Sequence, residues 1–150
     1  MGIQEDIKQK KAFRNPHHQA AVNMMFTYNW LNEKVRLLLE PYEITPQQYN
    51  VLRILRGSYP DPISTQEIRN RMLDKMSDVS RIVERMRLKR LLTKKTCPND
   101  KRLVDVLISE QGRQLLEDMH SLELDMDAHM EKLNTAEAQQ LNMLLDKIRQ

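Results

Sequence analysis

Residues 69–102 read RNRMLDKMSDVSRIVERMRLKRLLTKKTCPNDKR. This stretch holds twelve Lys or Arg and four Asp or Glu, a local charge of +8 in a chain whose total is only +3. Everything outside it is therefore net acidic, so the positive field is confined to one region, and nucleic acid is the commonest partner of such a footprint. Within the stretch, Val79, Ile82, Val83 and Met86 fall at i, i+3, i+4 and i+7, which predicts a helix with one buried face from a Ser77 N-cap to about Lys89. Ser80, Arg81, Glu84 and Arg85 then point away from the core. After Leu91 the period changes from helix to strand. Residues 92–96 and 103–108 read as two short strands. The segment 97–102, CPNDKR, forms the turn between them.

Working outward, Ser64 or Thr65 caps a short helix running to Leu73, with Ile68, Met72 and Leu73 apolar. The Thr45-Pro46 pair marks the start of a further helix, which carries Tyr49, Leu52, Ile54 and Leu55 and stops near Gly57. Helix, short helix, turn, helix and two-stranded hairpin is the order of a winged helix-turn-helix. With its apolar face buried, the helix after Ser77 leaves its other face free to enter a major groove about 12 Å wide. The preceding helix crosses the backbone, and the hairpin tip brings Lys101 and Arg102 to the adjacent groove.

The flanks are helical. From about His17 to Leu39, Val22, Met25, Tyr28, Leu31, Val35, Leu38 and Leu39 recur at helical spacing, and Met24 and Trp30 widen the stripe enough for two partners, one of them a second subunit. Ser109 is placed to cap a long helix through Met130. Asn134 and Glu137 form a capping box for a last helix bearing Leu141, Leu144, Leu145 and Ile148. Residues 1 to about 16 read as a polar arm, mobile or weakly helical. The fold class is thus mainly α with a small β-hairpin wing. One domain is expected over 1–150, with the winged-helix lobe at about 44–108 and dimerisation helices at about 17–40 and 109–150.

Stretch 78–112, DVSRIVERMRLKRLLTKKTCPNDKRLVDVLISEQG, resembles the MarR family of bacterial winged-helix regulators. Its recognition-helix pattern, "vTRlvdrLe.kGLi", is matched by Val79 to Leu92. The acidic-basic wing tip followed by "v.LT..G" is matched by Asp100-Lys101-Arg102, then Val106, Leu107, Ser109 and Gly112. The family's "LTxxqyxvL" is matched by Ile44 to Leu52. The resemblance implies a cytoplasmic homodimer, built from the first helix and the last two, on a near-palindromic operator. It implies a ligand-responsive regulator, a repressor in the first reading, with a small aromatic or phenolic effector. By position, Ser77, Ser80, Arg81 and Arg85 would meet bases or phosphates, and Lys94, Lys95 and Lys101 would neutralise phosphate. Arg102 would enter the minor groove, with Asp100 holding it or the wing. Two departures stand out. Arg90 occupies a place usually held by Gly, so a positive φ there would strain it. Lys101 stands where arginine is common.

Other classes find little support. No run of about 18 apolar residues exists to span a membrane, and MGIQEDIKQKK lacks the apolar core of a signal peptide. A single cysteine, Cys97, makes no internal disulfide, which points to the cytosol. It is read as an incidental thiol, with oxidant sensing the alternative. His17, His18, His120 and His129 lack metal-ligand spacing, so no metal or cofactor is expected. Trp30, Tyr28, Tyr42, Tyr49 and the methionines are read as core or interface, the alternative being an effector pocket. No nucleophile elbow or Gly-rich phosphate loop is present, and an enzyme is not expected. The rival reading is a winged-helix module for architectural DNA binding or protein contacts, without ligand response.

Overall fold

A computed structural model describes residues 2–96, 98–100 and 104–150. Cys97, Lys101, Arg102 and Leu103 lie outside the described residues, and with them half of the expected hairpin turn. The chain forms two compact units, residues 1–46 and 47–150.

The first unit holds α1 (Ile3–Asp6), α2 (Pro16–Leu39) and a 3₁₀ turn (Glu40–Tyr42). Helix α2 begins as its sequence dictates. Asn15 accepts a hydrogen bond from the His18 N–H, and Pro16 takes the first position, where no donor is needed. Ile3 is buried and α1 lies against α2, so part of the expected arm is ordered. Along α2, Met24, Met25, Phe26, Tyr28, Trp30 and Leu37 remain exposed.

The second unit contains α3 (Pro46–Ser58), β1 (Ile63–Ser64), α4 (Thr65–Arg71), α5 (Val79–Leu88), β2 (Leu92–Thr96), β3 (Val104–Ile108), α6 (Glu110–Asp118), α7 (His120–Ala128) and α8 (Thr135–Ile148). The sheet has the order β1-β3-β2 and is antiparallel throughout. Leu92 pairs with Ile108 and Thr96 with Val104, while Ile63 pairs with Val106. The core gathers Val51, Leu52 and Leu55 of α3, Ile68 and Met72 from α4 and its end, Val79, Val83 and Met86 of α5, and Val106 and Ile108 of β3.

Three expectations are corrected. The N-cap of α5 is Asp78, not Ser77: the Asp78 carboxylate accepts from the Arg81 N–H, and the helix starts one residue later. Both residue types cap well, so composition alone does not choose between them. The single long helix after Ser109 is two, broken at Met119, whose φ and ψ of −92° and 12° leave the helical region. Leu116, Met119 and Leu122 are all buried, so the break keeps a three-residue spacing on the inner side. The third strand, β1, was not expected; it is two residues long and rests on pairing with β3. Three other caps agree. Ser64 accepts from Glu67 N–H, Ser109 from Gly112 N–H, and Asn134 and Glu137 form the reciprocal capping box.

The end of α5 resolves the glycine question. Arg90 has φ 62°, the left-handed conformation that normally selects glycine. Its N–H donates to the Arg87 carbonyl at 2.9 Å, and Leu91 N–H donates to the Met86 carbonyl at 3.0 Å. These two bonds make a Schellman turn, with arginine where the family usually has Gly. Leu91 is buried there with Met86. The anticipated strain at Arg90 is therefore real, and the hydrogen bonds and the burial of Leu91 offset it.

Candidate nucleic-acid interface

Helix α5 buries Val79, Val83 and Met86, and α4 and β2 pack against it. The opposite face is solvent-exposed and carries Ser80, Arg81, Arg85 and Leu88. The positions follow from 3.6 residues per turn: once 79, 83 and 86 face inward, 81, 84, 85 and 88 must face outward. The turn that precedes the helix is tied down from both ends. Leu73 N–H donates to Asn50 Oδ1 on α3 at 2.9 Å, and Met76 N–H donates to Asp74 Oδ1 at 2.9 Å. Ser77 N–H donates to the Asp74 carbonyl at 3.2 Å.

Ser80, Arg81 and Arg85 thus share one exposed face, as the sequence predicts. Ser77 does not join them through its side chain: its hydroxyl is buried and finds no hydrogen-bond partner. Lys95 lies exposed on β2, opposite Asp105 of β3. Asp100 is half-buried in the turn. Lys101 and Arg102 lie outside the described residues.

Lys94 is placed differently from its expected role. Its Nζ donates to Glu84 at 3.0 Å, so its charge is offset before any phosphate approaches. Glu84 also accepts from Arg87 Nε at 3.0 Å and Nη2 at 2.7 Å. One carboxylate therefore ties the recognition helix to the strand leading into the wing. The hydrogen bonds from Arg87, followed by that from Lys94, hold the Glu84 carboxyl down from 4.5 to about 2. A depressed carboxylate pKa means that the clamp is complete above the ordinary value and is lost as pH falls toward the lowered one. NMR titration of the Glu84 side-chain carbonyl should accordingly give a midpoint near 2; a midpoint at 4.5 would show that the clamp does not hold in solution. This clamp was not among the features expected from the sequence. The spacing of Glu84 and Arg87 on one helix was a usable signal, but no local pattern marks the partner Lys94 on a strand.

Behind the interface, Ser109 joins three elements. Its hydroxyl donates to the Arg90 carbonyl at 2.7 Å and accepts from Gly112 N–H at 3.0 Å, and its own N–H donates to the Leu91 carbonyl at 3.1 Å. Farther back, Arg53 of α3 makes a hydrogen-bonded ion pair with Glu123 of α7, and Arg56 lies 3.6 Å from the same carboxylate. The adjacent Arg53 guanidinium lowers the Glu123 pKa. Arg113 stacks over the Tyr59 ring at 4.4 Å. In the first unit, His18 meets Phe13 edge-on with ring centroids 5.4 Å apart. Among the described residues, no three His, Asp or Glu side chains converge as metal ligands would.

A family profile described as the MarR family matches residues 42–103. The chain is 27% identical over 101 residues to the HTH-type transcriptional regulator MhqR of Bacillus subtilis, covering 65% of this chain and 68% of that protein. It is 28% identical over 144 residues to the HTH-type transcriptional repressor IacR of Pseudomonas putida, covering 88% and 85%. Its fold is that of Bordetella bronchiseptica BpsR, in a structure concerned with regulation of DNA binding by 6-hydroxynicotinic acid; the TM-score is 0.78 at 23% identity, over 88% of this chain and 99% of that one. A mutant MarR from E. coli complexed with operator DNA superposes with a TM-score of 0.73 at 23% identity, over 83% and 89%.

Proposed function

We propose that this chain, whose residues 42–103 match a MarR family profile, is a sequence-specific transcriptional regulator of that family, a ligand-responsive repressor that binds a near-palindromic operator as a homodimer. The observation that carries this reading is α5, a helix capped by Asp78 that buries one face and presents Ser80, Arg81 and Arg85 on the other. Such a helix can enter the major groove by its N-terminal half while α4 lies across the backbone. Arg81 and Arg85 would make base or phosphate contacts together with Ser80. Ser77 would do so after its hydroxyl turns outward. Lys95 and Lys101 would neutralise phosphate, Arg102 would enter the minor groove, and Asp100 would orient the wing. Lys94 would contribute only by leaving Glu84.

The proposed organisation keeps residues 44–108 for DNA and assigns about 17–40 and 109–150 to dimerisation. Each of the two end segments has an uncovered apolar face that supports this. Helix α2 exposes Met25 and Tyr28, and α8 buries no residue while exposing Met143, Leu144 and Ile148. A two-fold dimer presents two recognition helices and so requires two-fold symmetry of the operator. The effector class rests on the likeness to BpsR, whose regulator is an aromatic acid, and the repressor role on the likeness to IacR. An effector that prefers a dimer with wrongly spaced helices would lower operator affinity by population shift. The family is one of transcription regulators. No helix among the described residues is long and apolar enough to cross a membrane, and the proposed site of action is the cytoplasm.

Selection from a random duplex pool at about 150 mM salt tests the proposal. The expected product is a near-palindrome with half-sites about one helical turn apart. Binding with no recovered motif, and a steep salt dependence, would instead favour the architectural module.

A further inference from the structure

Met72 and Met76 sit four residues apart in the same turn, yet Met72 is 2% exposed and Met76 is 92% exposed. Leu73, between them, is 88% exposed. Met72 fills the core, whereas Met76 contributes no burial to folding. Its backbone is nevertheless fixed, through its N–H bond to Asp74 Oδ1 and the Ser77 bond to the Asp74 carbonyl. A rigid main chain therefore holds out a long apolar side chain two residues ahead of the α5 N-cap, Asp78. Lys75 beside it, and Arg81 and Arg85 on the helix that follows, are all exposed, and they outnumber Asp74 and Asp78. The two nearby carboxylates are held by backbone donors, Asp74 by the Met76 N–H and Asp78 by the Arg81 N–H. A polyanion is the partner that such a setting admits.

We propose that Met76 is the apolar contact by which this chain reads the 5-methyl group of thymine in the major groove. The inference rests on the DNA-binding reading above and names a determinant of its sequence preference. The charge around Met76 fits a phosphate backbone, and within the major groove the apolar feature on a base edge is the thymine methyl. An unbranched thioether adapts to a methyl group without a fixed hydrogen-bond geometry. Leu73, on the same turn, widens the apolar patch.

The test uses the operator recovered from the random pool. Each thymine is replaced in turn by uracil, which removes only the methyl group. At one thymine in each half-site the wild-type chain should lose about four-fold in affinity, the worth of one buried methyl. Met76→Ala should bind the thymine and uracil duplexes equally, at the level of the wild type on uracil. Met76→Leu should restore the preference. Indifference of the wild type to every uracil replacement would overturn the proposal while leaving the regulator reading intact. So would Met76→Ala retaining the full thymine preference, or a Met76→Ala chain that differs from wild type only in its mass by light scattering, which would assign the patch to a protein contact. A pool that returns no motif would overturn both readings.

Discussion

Gly112→Ala is expected to destabilise the second unit by about 2–4 kcal/mol, from overpacking and a lost hydrogen bond together. A Cβ at this position would lie 2.2 Å from the Leu91 carbonyl oxygen and 2.9 Å from Ile108 Cγ1. The first of these is backbone, and it cannot yield cheaply because it accepts the Ser109 N–H at 3.1 Å. Moving it disturbs the Schellman turn that ends α5. Gly57 supplies the comparison. It lies within α3, and a Cβ there meets nothing within 4 Å. Gly57→Ala should be neutral or stabilising by up to about 1 kcal/mol, since alanine is the better helix former. Urea unfolding of both variants decides the matter: equal midpoints would mean that the close approach of α6 to Leu91 does not exist in solution.

Arg81→Ala should weaken operator binding by roughly ten- to a hundred-fold, the range for one good base contact, with folding untouched. Arg81 is exposed, and only its backbone N–H takes part in capping the helix. Fluorescence anisotropy with the selected operator and with a scrambled duplex separates two roles. A loss confined to the operator identifies a base contact, and an equal loss on both identifies a phosphate contact. Unchanged affinity on both would remove Arg81 from the interface. Arg87→Ala is the control on the same helix. Its guanidinium is already engaged by Glu84, so its removal should act mainly through the clamp and cost less.

The recognition helix was legible in the sequence because its signal is local: four apolar residues at helical spacing leave only one face for Arg81 and Arg85. The strands were legible from the change of period after Leu91, and the capping box at Asn134 from residue type and spacing. Arg90 was legible through the family's glycine, and its positive φ shows that the turn kept its geometry when the residue changed. What escaped depends on tertiary partners. The break at Met119 carries no proline or glycine, and it is fixed by which side chains are buried. Strand β1 exists only through β3. The Glu84–Lys94 contact spans ten residues and two kinds of secondary structure, and it sets the Lys94 charge beside a carboxylate. Ser77 was assigned a cap that its neighbour Asp78 supplies.

The three bonds of Ser109 make the end of α5, the end of β3 and the start of α6 one rigid joint. Helix α5 has ten residues, and is therefore about 15 Å long. If α6 tilts by about 10°, the joint turns α5 with it and carries its far end sideways by about 3 Å, close to the rise of one base pair. The helix then acts as a lever arm whose fulcrum is a single serine residue. A change confined to the C-terminal helices can thus reach the exposed face of α5 without contact there, because about 10° of tilt moves its far end by nearly one base-pair rise.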